Sequence, residues 1–198
     1  MAAETRTVDS SQAATSVRRP ASRLTINRLG LWLFSISESF LSAAILSSRY
    51  FLRGLDVPDV VNQPLGLVLT GVLLLSSLSA YRAETCAHHG DQKGYQRNLI
   101  ATIGMGIIFL VGVGIEWNDA FEHFPPHSRY GTIFFTTTRV HAFHVLSGLI
   151  ALTFVLGLGR KGRFISDNGY WGVEGTVKYW HFVDLAWAFI YPTLYLVS

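Results

Sequence analysis

The chain of 198 residues is 49% hydrophobic and only 15% charged, and its mean hydropathy is +0.32. Its apolar residues arrive in blocks of about twenty, the length that crosses a bilayer as a helix, so the composition predicts an integral membrane protein. The net charge of +3 is modest and the basic residues lie between the apolar blocks, so we expect no nucleic-acid partner. The single cysteine, Cys86, excludes an internal disulfide, an iron–sulfur cluster held by this chain alone and a CxxCH haem attachment.

Residues 1–28 are polar and rich in Ser, Thr, Ala and Arg. They lack the apolar core of a cleavable signal peptide, so we predict a disordered basic tail that stays on the cytoplasmic side. A transit peptide is the alternative interpretation, and Glu4 and Asp9 count against it. Residues 29–198 form the one predicted domain.

That domain is predicted to be an all-α bundle of five transmembrane helices. The predicted spans are Leu29–Leu52, Pro64–Tyr81, Leu99–Trp117, Gly131–Leu158 and Val177–Val197. With the N-terminus inside, most of the sixteen Lys and Arg residues fall in inner segments, and Arg139 lies within the fourth span. Positively charged residues favour the cytoplasmic side, so the sequence predicts that the N-terminus is inside and the C-terminus outside.

Ionisable side chains lie within or beside four of these spans. Such a group near the bilayer centre costs about 2.5–3.5 kcal/mol or more unless it finds a partner, so we expect these groups to face protein. The predicted buried polar framework consists of Glu38, Glu116, His141, His144, Glu174, His181 and Asp184. Glu38, Asp184 and the three histidines lie at similar depths, and we expect them to meet in one cluster.

Three interpretations of that cluster are open. Its members could join helices through hydrogen bonds, each contributing about 0.6 kcal/mol in a membrane. They could form a proton relay, which intramembrane Glu, Asp and His residues commonly mark. They could also ligate a metal or haem, although the Glu-x-x-His pair of di-iron bundles is absent. His141 and His144 share one helix face, which does not suit opposed axial ligands of a haem.

A weaker candidate lies in the second predicted inner loop. Cys86, His88 and His89 could ligate a metal, but a lone CxHH pattern is far more often an ordinary solvated loop. The glycines near the helix ends contain no phosphate-binding fingerprint.

Several short motifs recur in the order of a known family. The segment Tyr179–Asp184, with the sequence YWHFVD and followed by Trp187, resembles the C-terminal signature of the cytochrome c oxidase subunit III family of haem-copper oxidases. Weaker similarities are Ser37-Glu38 to the family's S-E, Glu116-Trp117 to its E-W, His141 to Gly148 to its H-G-x-H-V-x-x-G, and Gly172-Val173-Glu174 to its G-F-E.

The resemblance implies a short, five-helix bacterial version of this family in the plasma membrane. Members are non-catalytic and hold no metal or redox centre, whereas haem and copper reside in partner subunits. They pack against the catalytic subunit I and other oxidase subunits, bind phospholipid in an interhelical cleft and support proton uptake. The implied function is therefore an accessory subunit of a terminal oxidase in aerobic respiration.

Two other hypotheses stay open from the sequence. The first is a subunit III-like accessory protein of a nitric oxide reductase system, which would be distinguished by the proteins that copurify. The second is an independent haem- or metal-binding membrane enzyme, which an absorption spectrum and a metal analysis of the isolated chain would detect.

The sequence departs from the family pattern at two places. Arg139 stands where the family usually has glycine, and an arginine inside a span requires an anionic partner, for which we consider Glu116 or a lipid phosphate. Gly169 and Tyr170 replace a histidine pair. Lipid contacts are expected at Arg139, Trp180 and Arg163.

Overall fold

The computed structural model describes residues 23–51, 63–123, 126, 128–160 and 170–196. Over this part of the chain the fold is all-α, as predicted. The helices are α1 (Arg23–Phe51), α2 (Gln63–His88), α3 (Gln92–His123), α4 (Arg129–Arg160) and α5 (Tyr170–Tyr191), and α5 continues into one π-helical turn (Pro192–Leu196). Residues 1–22 lie outside the described residues, so the disordered tail stays a prediction.

The helices extend beyond the apolar blocks that predicted them. Helix α1 begins at Arg23 instead of Leu29, and α2 continues past Tyr81 to His88. An apolar run marks the length that a bilayer can contain, whereas backbone hydrogen bonding continues the helix into polar sequence.

The predicted inner loop after the second span is largely helical. Cys86 and His88 belong to the last turn of α2, and only a short turn separates α2 from α3. Gly90 supplies the positive φ of 75° that this turn requires, and the Asp91 side chain caps α3 by accepting a hydrogen bond from Gly94 N at 3.0 Å.

In the part of the chain that the structure describes, four helices, α1 to α4, are long and apolar enough to cross a membrane. Helix α5 has Glu174, Lys178, His181 and Asp184 among its 22 residues, which lowers its hydropathy. Its span, and the orientation of the bundle, therefore stay predictions.

Helix α5 packs against α1, α2 and α4, while α3 packs against α2 and α4. The Trp180 indole of α5 is fully buried and fills the space beside Gly106 of α3 and Gly148 of α4. A Cβ added at either glycine would lie 2.7 Å or 2.9 Å from that indole. Small residues on α3 and α4 therefore make room for a large aromatic side chain of α5.

Only part of the glycine pattern in α3 serves this packing. Leu69 of α2 fills the space beside Gly112, whereas a Cβ at Gly104 or Gly114 would meet no described atom within 4 Å. The sequence shows that the glycines are small, but it does not show which of them face a neighbouring helix.

Candidate functional site

Helix α1 is joined to the rest of the bundle mainly by polar contacts, because its apolar residues remain largely exposed. Its one fully buried residue is Arg49. Arg28, Glu38 and Arg49 lie near the beginning, the middle and the end of α1. They contact α5, α4 and the π-helical turn, respectively.

The first contact is an ionic cluster around Glu174 near the start of α5. Its Oε2 accepts a hydrogen bond from Arg28 Nη2 at 2.9 Å, and its Oε1 accepts one from Lys178 one turn later. Burial alone would raise the pKa of Glu174, but the hydrogen bonds and positive charges of Arg28 and Lys178 outweigh it, so the pKa lies below its usual value. The cluster therefore connects α1 to α5 through an ionised carboxylate.

The second contact is a hydrogen bond between Glu38 of α1 and His144 of α4. His144 Nε2 lies 3.1 Å from Glu38 Oε2, and His144 Nδ1 lies 2.8 Å from the Val140 carbonyl oxygen. Because a carbonyl only accepts, Nδ1 carries a proton. The bond to Glu38 then needs one further proton, either on the carboxyl group or on Nε2. The pair therefore shares one proton, whichever atom holds it.

This pair borders a small cavity between α1, α4 and α5. The cavity has a volume of about 20 Å³, and Thr137 and His141 line it together with Glu38 and His144. That volume accommodates about one water molecule. Thr137 Oγ1 and His141 Nε2 are buried, and neither has a hydrogen-bond partner among the residues that the structure places. Two polar atoms thus lie beside the proton-sharing pair without a partner in the part of the chain that the structure describes.

The ring of His141 is enclosed by aromatic side chains. Its centroid lies 4.9 Å from that of Trp187 on α5 and 5.7 Å from that of Phe109 on α3. This packing fixes the imidazole between three helices.

His181 and Asp184 do not join this site. His181 Nδ1 forms a hydrogen bond with Ser77 Oγ of α2 at 2.5 Å. Asp184 is buried beside Ser77, whose hydroxyl interacts with its carboxyl group, although neither carboxylate oxygen has a hydrogen bond of normal geometry within the described ranges. The residues of α5 that line the cavity are instead Phe182, Val183, Ala186 and Ile190. The five predicted groups therefore do not form one cluster. His181 lies on the side of α5 that faces α2, whereas the cavity lies against another side of α5.

Glu116 lies at the other end of the bundle, where it contacts the π-helical turn. Its Oε2 accepts a hydrogen bond from the Tyr195 hydroxyl at 2.7 Å. Nearby, Tyr130 donates to the Leu194 carbonyl oxygen at 2.8 Å, and Arg49 Nε donates to the Thr193 carbonyl oxygen at 3.2 Å. The buried Arg49 guanidinium also lies over the Tyr130 ring. These contacts join α1, α3 and α4 to the π-helical turn that follows α5.

An apolar groove separates α1 from α5 next to the small cavity. Its volume is about 450 Å³, and Ser42, Phe182 and Ala186 line both spaces. Its other walls include Leu46 and Phe189. Grooves of this size and polarity suit apolar ligands.

The sequence of this chain matches a known protein family. The family model of cytochrome c oxidase subunit III matches residues 21–198, nearly the whole chain. The chain belongs to the cytochrome c oxidase subunit III family. The predicted resemblance is thereby confirmed, and the motif residues Glu38, His144 and Glu116 are among those whose contacts are described above.

Three of the relatives come from one fungus and two bacteria. "Cytochrome c oxidase subunit 3" of Podospora anserina is 33% identical over 180 residues, covering 84% of this chain and 66% of that protein. "Cytochrome c oxidase subunit 3" of Corynebacterium diphtheriae is 37% identical over 140 residues, 70% of this chain and 68% of that protein. "Probable cytochrome c oxidase subunit 3" of Nocardia farcinica is 30% identical over 176 residues, covering 84% of this chain and 85% of that protein. The chain thus spans about two thirds of the first two relatives.

The three expected lipid contacts have different outcomes. Trp180 is fully buried and donates its indole N–H to Ser76 Oγ at 3.0 Å, so it has no exposed surface for a lipid. Arg163 lies outside the described residues. Arg139 is exposed beside the rings of Trp117, Phe121 and Phe135 (5.7, 5.9 and 5.7 Å), whereas the considered partner Glu116 bonds to Tyr195.

The metal interpretation gains no support from side-chain positions. Within the described segments, no three His, Cys, Asp or Glu side chains come together as a metal-binding group. Cys86 of the CxHH pattern instead lies 3.9 Å from Asn98 Nδ2 of α3.

Sequence reasoning missed the hydroxyl groups that join α2 to α5. Trp187 donates its indole N–H to Thr70 Oγ1 at 3.0 Å, as Trp180 does to Ser76. Thr70 and Ser76 lie about two helical turns apart on α2, and Trp180 and Trp187 lie about two turns apart on α5. The earlier hydroxyl on α2 pairs with the later indole on α5, because the two helices run antiparallel. Matching spacings of small hydroxyl residues and tryptophans were the available signal.

Proposed function

We propose that this chain is the non-catalytic subunit III of a bacterial haem-copper terminal oxidase, with haem and copper in its partner subunits. The observation that carries the proposal is the match to the subunit III family over residues 21–198. Relatives named cytochrome c oxidase subunit 3 in two bacteria favour an oxidase over the nitric oxide reductase alternative.

The proposed location is the plasma membrane, with five spans, the N-terminus inside and the C-terminus outside. The distribution of Lys and Arg supports this orientation. The side-by-side packing of α5 with α1, α2 and α4 supports its assignment as the fifth span, since its polar side is sheltered by protein. His181 and Trp187 find hydroxyl partners on α2, which removes much of the cost of placing them in a bilayer.

Phospholipid is proposed to occupy the groove between α1 and α5. The groove is apolar along Leu46 and Phe189, which suits an acyl chain. Because α1 contributes little apolar packing of its own, a lipid in this groove would also stabilise the position of α1.

Support of proton uptake is proposed for the Glu38–His144 pair. The pair shares one proton beside a cavity with room for about one water molecule. A group that holds a proton next to a cavity with room for water can accept or release it without leaving an unpaired charge in the membrane. In this proposal the chain keeps subunit I supplied with protons and moves no electrons itself.

Depletion of the chain tests this function. The oxidase is purified with and without it, and oxygen consumption is followed over many turnovers. We expect similar initial rates, since catalysis resides in the partner subunits, and an earlier loss of activity without this chain. Re-adding the purified chain should restore the wild-type time course. Equal time courses with and without the chain would contradict the proposal.

A further inference from the structure

Arg139 is a cation inside an apolar helix. It lies ten positions after Arg129, the first residue of α4, and so about 15 Å along the helix axis. Residues 130–160 form one of the candidate membrane spans. A guanidinium at this position requires an anion or a route to the interface.

The geometry directs the side chain toward the nearer end of the bundle. Side chains of a helix tilt toward its N-terminus, and Phe135, which Arg139 contacts, lies one turn closer to the start of α4. The other two rings, those of Trp117 and Phe121, belong to the last turns of α3, which ends at His123. The guanidinium therefore lies level with the end of α3, where aromatic residues mark the headgroup region.

The three rings are held in place independently of Arg139. Trp117 donates its indole N–H to Thr138 Oγ1 at 3.1 Å, which fixes the indole. Phe121 and Phe135 stack on each other with centroids 4.4 Å apart and an interplanar angle of 16°. The rings thus form a rigid frame at the seam between α3 and α4.

The frame satisfies the charge of Arg139 only in part. The guanidinium carbon lies 5.7–5.9 Å from the three ring centroids, and the rings offer its N–H donors no oxygen acceptor. Across the described segments, no carboxylate forms an ion pair with Arg139, and its side chain is exposed. A planar guanidinium edge matches two oxygens of a phosphate.

We propose that Arg139, held by Trp117, Phe121 and Phe135, binds the phosphate of a phospholipid headgroup at the seam between α3 and α4. The site is separate from the groove between α1 and α5, whose lining residues all belong to those two helices or the π-helical turn. It depends on the chain lying in a membrane and holds whether or not the chain supports proton uptake.

The test counts phospholipids bound to the purified oxidase complex by native mass spectrometry and lipid extraction. We expect Arg139→Gln to lose about one phospholipid per complex, because glutamine cannot form the charged bidentate contact. Arg160→Gln is the matched control, since Arg160 is exposed at the opposite end of the same helix, and it should keep the wild-type count. Washing the wild type with inorganic phosphate should not lower its phospholipid count. If the wash does lower the count, and Arg139→Gln loses no phospholipid, the site belongs to free phosphate and the proposal is overturned.

A second pair of variants covers the case in which Arg139→Gln does not assemble. Arg139→Lys keeps the charge but not the planar fork, and Phe121→Leu keeps the arginine but removes one ring. Both should exchange the bound phospholipid with added short-chain lipid several-fold faster than the wild type. An unchanged phospholipid count and exchange rate in these variants would overturn the proposal, as would a partner-subunit carboxylate in contact with Arg139 in the structure of the complex.

Discussion

His144 Nε2 lies 3.1 Å from Glu38 Oε2, and this hydrogen bond joins α4 to the middle of α1. The other end of the imidazole is fixed, because Nδ1 donates to the Val140 carbonyl oxygen. The shared proton of this pair lies on either Glu38 or His144 while Nδ1 keeps its own partner. Arg28 and Arg49 hold the two ends of α1, so the role of the pair can be tested without detaching the helix.

The variant Glu38→Gln tests separately whether this pair joins the helices and whether it exchanges a proton. The amide of glutamine can still donate to His144 Nε2, so we expect the complex to assemble and its thermal stability to change by less than about 1 kcal/mol. Because an amide does not exchange a proton in this way, the complex should lose activity earlier during turnover. Stability is measured by thermal unfolding and turnover lifetime by oxygen consumption.

Glu38→Ala is the matched comparison, since it leaves His144 Nε2 without a partner and should cost about 1–3 kcal/mol. A Glu38→Gln complex with the wild-type turnover lifetime would contradict the protonic role while leaving the structural one intact.

Two neighbouring threonines of α4 give a stability prediction. Thr138 Oγ1 donates to the Phe134 carbonyl oxygen at 2.7 Å and accepts the Trp117 indole N–H, so Thr138→Val should cost about 1–3 kcal/mol. Thr137 Oγ1 is buried and has no partner among the described side chains and main chain, so replacing its hydroxyl with a methyl group in Thr137→Val should leave stability unchanged or raise it. Thermal unfolding of both variants tests this order, and a larger loss for Thr137→Val would contradict it.

The same substitution, glycine to alanine, should change the stability of the chain differently at two positions of α3. A Cβ at Gly106 would lie 2.7 Å from both Leu149 and Trp180, so Gly106→Ala should destabilise the chain by about 1–3 kcal/mol. A Cβ at Gly104 would meet nothing described within 4 Å, so Gly104→Ala should be neutral or stabilising by up to about 1 kcal/mol. Yield and melting temperature in mild detergent provide the comparison. Equal effects at both positions would show that Trp180 does not occupy this space.

The cluster around Glu174 predicts a dependence of stability on acid pH. Because the pKa of Glu174 is lower in the folded chain than in the unfolded chain, its ionised form stabilises the fold above the ordinary carboxyl pKa. That stabilisation is lost as the pH falls through the lowered pKa. Wild type and Glu174→Gln should therefore differ in melting temperature at neutral pH and converge in acid.

Glu122→Gln serves as the control for this measurement, because Glu122 is exposed near the end of α3 and should follow the wild-type curve. A constant difference between wild type and Glu174→Gln at all pH values would count against ionised Glu174 as the source.

The helices themselves could be predicted because each apolar block is long enough to span a bilayer. Their ends could not, since Arg23 and His88 continue helices in polar sequence. The family could be predicted from YWHFVD, whose residue types are specific. The contacts of those residues could not, because they depend on how each helix is rotated about its axis. That rotation places His181 against Ser77 and leaves His141 beside the cavity.

The contact between Arg139 and its three rings could not be predicted from the sequence either. The sequence indicates a cation that needs an anion, and Glu116 lies at a suitable depth. In the structure Glu116 bonds to Tyr195, and aromatic rings surround one side of the guanidinium instead. Pairing by depth alone does not distinguish these arrangements, because several groups share each level of the membrane.

The most direct test of the central claim is the composition of the complex that copurifies with the affinity-tagged chain in mild detergent. We predict stoichiometric amounts of an oxidase subunit I that contributes the haem absorption, whereas the isolated chain shows no haem bands. A stable chain that purifies alone, or one that purifies with nitric oxide reductase subunits in place of an oxidase, would contradict the account.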